Sequence, residues 1–227
     1  MADPAVSIGS HAVPVWPRDQ RIKARGDAVR ILTTTFTDTA AYHPGLIAHV
    51  LAMKADPRFA GQYGRSLGGT KLYHLDQWDS PEARLLNDRA MAFFKVAAGV
   101  EEAAVDIAWV NVYGTGDYVV PHSHVRSTAS LVYCLDPGDP DPRDPNSGLL
   151  SFVDPRFPDC CQLEPQRMTN PLKPKLVPGT MVLFPSELVH CVNPYGGSRP
   201  RITVSWNINR HALPGSPLDT FGIKQES

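Results

Sequence analysis

The feature that most restricts the fold lies between residues 105 and 209, where helical periodicity is absent and short apolar runs alternate with turn residues. The runs are approximately Val105 to Tyr113, Val119 to Val125, Thr128 to Leu135, Leu149 to Asp154, Lys173 to Val177, Met181 to Phe184, Leu188 to Val192 and Arg201 to Asn209. Each has the length of a strand. A series of short strands at this spacing is the pattern of a double-stranded β-helix, or jelly roll. Between the third and fourth runs, Pro137 to Gly148 carries repeated prolines, which lack the N–H that a ladder needs. A surface loop is expected there, in position to act as a lid over the barrel mouth.

The preceding sequence has a different character. Val29 to Phe36 and Gly69 to Leu75 read as strands. Pro44 at a first helical turn leads into Leu46, Ile47, Val50 and Leu51 on one helical face, and Asp56-Pro57 stops the run. A second helix starts at Asp79-Ser80-Pro81-Glu82, with a capping side chain, proline near the first position and acid in the first turn, and runs to Gly99. The first eighteen residues, with Pro14 and Pro17, read as an extended arm lying on the domain, and the tail after His211 as poorly ordered or draped. The expected class is thus an all-β core with flanking helices (α+β). One domain spans 1–227, with strands and supporting helices in 1–104, the jelly roll in 105–209 and a tail in 210–227.

Composition agrees with such a core and narrows the partners. A chain of 227 residues, 42% hydrophobic and 20% charged, can bury a full core. The formal net charge of -1 comes with scattered Lys and Arg, which argues against a nucleic-acid partner. Apolar runs such as Met181 to Phe184 are too short to span a bilayer, and the N-terminus lacks the charged and apolar regions of a secretory signal, so a cytoplasmic protein without membrane contact is expected. The four cysteines, Cys134, Cys160, Cys161 and Cys191, form no CxxC pair and read as reduced thiols.

The chemistry-bearing residues are histidines. In a strand, residues i and i+2 face the same side, so His122 and His124 in Pro121-His-Ser-His-Val125 project together. A lone histidine is more often a half-buried residue with a satisfied ring nitrogen. A pair of this kind, with His190 as a third donor from a distant run, reads as a metal site. Imidazole suits iron, zinc, copper and nickel, so ligand type alone leaves the metal open.

The surroundings of His190 narrow it. Pro178-Gly179 and an apolar strand ending in Phe184-Pro185 precede His190, and Arg201-Ile-Thr203 follows. This resembles the C-terminal half of 2-oxoglutarate/Fe(II) oxygenases. Trp109-Val-Asn-Val-Tyr-Gly114, Pro121-His-Ser-His124, Leu131 to Leu135 and Phe152-Val-Asp-Pro-Arg156 resemble a bacterial and phage subfamily with an HxH…H motif. The resemblance covers about 105 to 209. It implies Fe(II) as cofactor, 2-oxoglutarate as co-substrate, and oxidative decarboxylation to succinate and CO2 coupled to oxidation of a second substrate, with hydroxylation ahead of halogenation or desaturation. His124 stands where most of the superfamily has a carboxylate. Three-histidine ligation is the first reading; alternatively His124 is not a ligand, or Asp136 or Asp154 completes the site.

With His190 as the distal ligand, Arg201 falls in a neighbouring strand of the barrel, where its planar fork suits the C5 carboxylate of 2-oxoglutarate and Thr203 adds a hydroxyl. Asn111 and Tyr113 alternate with Trp109 on one strand face and line the pocket near the metal. Arg126 and Arg156 are cations that could hold a substrate carboxylate, and Trp78 and Tyr73 offer a pocket wall. These point to an amino-acid-like or peptide-like substrate. Two rivals come from other classes. A cupin-type metalloenzyme matches Gly116 and His122-Ser-His124 but lacks the following glutamate and has no use for Arg201; a non-catalytic jelly-roll binding module would hold no iron.

Overall fold

The computed structural model describes residues 4–25, 30–59, 61–62, 65–153 and 173–215. In chain order its elements are strands β1 (Ala5–Ile8), β2 (His11–Pro14), β3 (Lys23–Arg25) and β4 (Ile31–Thr35), helix α1 (His43–Ala55), β5 (Gly61–Gln62), β6 (Thr70–Tyr73) and helix α2 (Pro81–Ala98). These are followed by β7 (Ala104–Tyr113), β8 (Val119–His122), β9 (Ala129–Asp136), β10 (Leu150–Phe152), β11 (Thr180–Pro185), β12 (His190–Val192) and β13 (Arg201–Asn209). An eight-stranded sheet has the order β3-β4-β11-β9-β13-β7-β6-β5, and a three-stranded sheet the order β10-β12-β8. All their pairings are antiparallel, and the two sheets form an open jelly roll rather than a closed barrel. No described helix is long and apolar enough to cross a membrane.

The larger sheet is buried on both faces, and period-two alternation assigns each face its chemistry. Along β13, Ile202, Val204, Trp206 and Ile208 join a core with Leu86, Phe93 and Phe94 of α2 and Leu46 of α1. The alternate residues Arg201, Thr203, Ser205 and Asn207 are equally buried but polar, and face the smaller sheet. In β11, Met181 and Leu183 lie on the helical side, while Val182 and Phe184 pack with Leu150, Phe152 and Val192 between the sheets. One strand sequence therefore supplies a hydrophobic support on one side and a functional wall on the other.

The helices start and stop where local chemistry dictates. Ser80 Oγ accepts from the Ala83 amide at 3.2 Å, Pro81 occupies the first turn, and Gly99 closes α2 in the left-handed conformation. Helix α1 buries Leu46 and Val50 but leaves Leu51 38% exposed, a narrower apolar face than its spacing implies. At the start of β11, Gly179 has φ of 88°, and a Cβ there would lie 2.1 Å from the Phe36 carbonyl oxygen. Only glycine lets the Pro178-Gly179 turn approach the chain so closely.

Four expectations change. The N-terminal arm is a β1–β2 hairpin whose Ile8 and Val13 enter the main core, with Trp16 just beyond it edge-on to Phe36 at 5.8 Å. Lys173 to Val177 forms no strand; Pro174 lies within it and Pro178 follows it, and it runs into β11 outside any ladder. Strand β8 stops at His122, so His124 lies beyond it. The short β3 and β5 at the ends of the large sheet were not legible as strands. Pro137 to Gly148 is free of regular pairing, as its prolines require, and is pinned by Tyr195, whose hydroxyl accepts from the Asp139 amide at 2.9 Å and donates to its carboxylate at 3.0 Å.

Candidate metal centre

The smaller sheet brings the first two imidazoles together. In the β8–β12 ladder His122 is directly opposite His190, with ring centroids 4.3 Å apart. His124 arrives by a different route from the one its spacing implies: beyond the end of β8, its amide donates to the Ser186 carbonyl at 2.8 Å, which turns the ring back toward the pair. Its Nε2 lies 3.3 Å from His190 Nε2, and one ligand atom from each of the three rings falls within 4.8 Å of the others. Asp136 is not with them; it accepts from the Gly138 amide and pairs with Arg199. Asp154 lies outside the described residues.

Partners of the remaining ring nitrogens fix which nitrogen faces the cluster. Nδ1 of His122 is 2.8 Å from the Val120 carbonyl, and Nδ1 of His190 is 2.9 Å from the Leu188 carbonyl. A carbonyl only accepts, so each Nδ1 carries the proton and each Nε2 presents a lone pair. His124 Nδ1 meets the Asn207 side-chain amide at 3.3 Å. With the amide turned over, Nδ1–H donates to the Asn207 oxygen, and the Ser130 hydroxyl, 2.9 Å from Asn207, changes from donor to acceptor. Burial lowers the pKa of all three rings, His124 to about 3 and His190 to about 4; repulsion from neighbouring imidazoles adds to it for those two, and Lys71 adds to it for His122. Near neutral pH they are uncharged, the form that coordinates metal.

The cluster opens into a cavity between the sheets of about 480 Å³, counted with the open solvent at its mouth. Arg201 lines it from β13, in the sheet opposite His190 rather than in an adjacent strand. Its guanidinium lies 4.8 Å over the Tyr113 ring, and the residue is 5% exposed. Yet Nη1 is buried without a hydrogen-bond partner among the described residues. Thr203 and Tyr113 flank it; burial pushes the Tyr113 hydroxyl pKa up while Arg201 and Thr203 pull it down. Asn111 accepts from Trp109 Nε1 at 3.2 Å and donates to Ser205 Oγ at 3.3 Å. An orphaned guanidinium nitrogen in a cavity with three neutral imidazoles fits a metal chelated by a carboxylate-bearing ligand.

Other expected site residues lie elsewhere. Arg126 has a left-handed backbone (φ 70°) and pairs with Asp106 at 3.0 Å, also reaching the carbonyls of Pro214 and Gly215; it does not line the cavity. Trp78 donates from Nε1 to the Tyr73 carbonyl at 3.0 Å and packs on His49, away from the cavity wall. Arg156 lies outside the described residues. Conversely, Lys71, Ser205 and Phe184 line the cavity, and Asn207 backs His124, without having been singled out. The β13 alternation that marks Arg201 and Thr203 also points to Ser205 and Asn207. Nothing local marks Lys71.

Residues 107–207 match the model of a family described as "Putative 2OG-Fe(II) oxygenase". That match spans 101 of the 227 residues, the segment that carries the site. The family is named for iron and 2-oxoglutarate, and the three histidines fit the HxH…H pattern. No curated protein matches the chain. Among solved structures, a Pseudomonas putida prolyl-4-hydroxylase shares 18% identity with a TM-score of 0.58, over 80% of this chain and 94% of that one. EctD from S. alaskensis, in its apoform, shares 16% with a TM-score of 0.60, over 84% of each chain. The epimerase SnoN, in complex with Fe3+, alpha ketoglutarate and nogalamycin RO, shares 15% with a TM-score of 0.59, over 78% of each. These likenesses show the oxygenase fold. The family match favours the oxygenase over the cupin and the non-catalytic module.

Proposed function

We propose that the protein is an Fe(II)- and 2-oxoglutarate-dependent hydroxylase of a small amino-acid-like or peptide-like substrate, releasing succinate and CO2, with residues 1–227 working as one domain. His122, His124 and His190 hold the iron through Nε2, and Arg201, with Tyr113 and Thr203, receives the distal carboxylate of 2-oxoglutarate. The observation that carries this reading is the Arg201 Nη1 buried without a described partner in the cavity that the histidines share. Iron and 2-oxoglutarate together supply oxidative decarboxylation coupled to oxygen insertion.

The chain's own residues orient and enclose. The Val120 and Leu188 carbonyls keep two imidazoles in the metal-binding tautomer, and Asn207 does the same for the third once its amide is turned to present oxygen. Phe184, edge-on to His190 at 4.7 Å, and Trp109, 5.9 Å from His124, wall the cluster from water. Neither Arg126 nor Trp78 supports substrate binding from its position. The test is succinate formation by purified protein supplied with Fe(II), 2-oxoglutarate and oxygen. The expected result is turnover that a chelator abolishes and that His122→Ala and His190→Ala each lose; wild-type rates in both variants refute the assignment.

A further inference from the structure

The cavity is lined by a second cation besides Arg201. Lys71 of β6 is opposite Asn111 of β7, and Asn111 is opposite Thr203 of β13, so the three form one row across the large sheet. Arg201 lies one alternation further along β13, opposite Tyr113. The Lys71 ammonium leans the other way, 5.5 Å from the centroid of the Trp109 ring, which in turn is 5.9 Å from the His124 ring. With strands about 4.8 Å apart and about 3.4 Å per residue, the backbones of the two cations are on the order of 10 Å apart, and their side chains diverge from there. One end of the cavity is cationic beside Tyr113, the other beside Trp109 and the histidines.

We propose that Lys71 is the substrate-binding residue of this oxygenase site and that it takes the carboxylate of a monoanionic prime substrate, holding it across the metal from 2-oxoglutarate. This rests on the reading of the cavity given above. A 2-oxoglutarate molecule anchored at Arg201 runs from the Tyr113 end toward the histidines, which leaves the Trp109 side beyond them for a second molecule. Burial lowers the Lys71 pKa to about 8, so keeping the ammonium there costs free energy, and a facing carboxylate offsets that cost. A carboxylate brings one negative charge to that ammonium, where a dianionic phosphate ester brings two into a half-buried site. Arg126 does not line this cavity, so among the described residues Lys71 is the cation placed to read an acidic substrate.

The test is calorimetric binding to the full-length protein loaded with Mn(II) and 2-oxoglutarate, using a panel of N-acetyl amino acids and the matching primary amides. At least one acid is expected to bind roughly tenfold or more tightly than its amide, as loss of one charge-assisted contact implies. Lys71→Met keeps the apolar stem and should erase that preference, and Lys71→Arg should restore part of it. Acids and amides that bind equally, or not at all, overturn the inference, as does a preference that survives in Lys71→Met. A large loss of 2-oxoglutarate affinity in Lys71→Met also overturns it, by assigning Lys71 to the co-substrate. Failure of 2-oxoglutarate to bind Mn(II)-loaded wild type, by contrast, removes the functional reading itself.

Discussion

Arg201 has a guanidinium nitrogen that no described residue satisfies, in a side chain otherwise shielded by Tyr113 and by Gly148, where even a Cβ would lie 3.0 Å from Arg201 Cδ. A buried donor left unsatisfied costs about 1–3 kcal/mol, which a bound carboxylate offsets. Arg201→Ala is therefore expected to raise the 2-oxoglutarate KM by roughly ten- to a hundredfold, with a smaller effect on kcat at saturation; an unchanged KM refutes the role. Asn207→Leu removes the partner of His124 Nδ1 at similar size. Metal affinity, read by titration with Mn(II), should fall about ten- to a hundredfold. At this scale the sequence identifies His122, His190 and Arg201, because turn, strand and spacing surround them with recognisable neighbours. It does not identify Lys71, whose place depends on the register of β6 against β7. Arg126 misleads for the opposite reason: it is adjacent to the histidines in the chain, but its backbone turns the guanidinium to Asp106.

Strand β13 shows what alternation can and cannot say. Polar residues at every second position ordinarily mark a solvent face, but Arg201, Thr203, Ser205 and Asn207 are all buried, because the smaller sheet covers them. The pairing of His122 and His124 was legible, although its cause is a turn beyond β8 and not a shared strand face. Helix α2 was legible because its cap, first turn and terminal glycine are all local signals, and Ser80→Ala should cost about 1 kcal/mol in denaturant unfolding. Helix α1 meets β9 through His43, whose Nε2 is 2.6 Å from the Tyr133 hydroxyl. Burial holds the His43 pKa down to about 4, against partial compensation from Asp136 and Asp38. The unfolded chain takes up that proton first as pH falls, so the stability present above about 6.5 declines between 6.5 and 4, by on the order of 3 kcal/mol from this residue. His43→Gln should flatten the fall in unfolding free energy over that range; an unaltered slope contradicts it.

Across the whole molecule, one buried charge joins parts that the chain separates widely. Arg89 of α2 is fully buried, donates to the carbonyls of Pro14 and Val15, pairs with Asp38, and stacks over Phe36 at 4.2 Å. It ties the N-terminal hairpin and the approach to α1 onto the helical side of the large sheet. Removing it strands Asp38 and two carbonyls, and Arg89→Ala is expected to cost about 3–5 kcal/mol in denaturant unfolding. The two sheets are joined differently. Two of the three imidazoles stand on the short strands of the smaller sheet, whereas the third is held through Asn207 of the larger one. A cation accepted by all three would act as a rivet through both layers. Amide hydrogen exchange at 119, 120, 122 and 190–192 should then slow on loading with Mn(II), while the β13 amides, protected by neighbours on either side, change little. The ion that serves the chemistry would thus also decide whether the thinner layer stays seated.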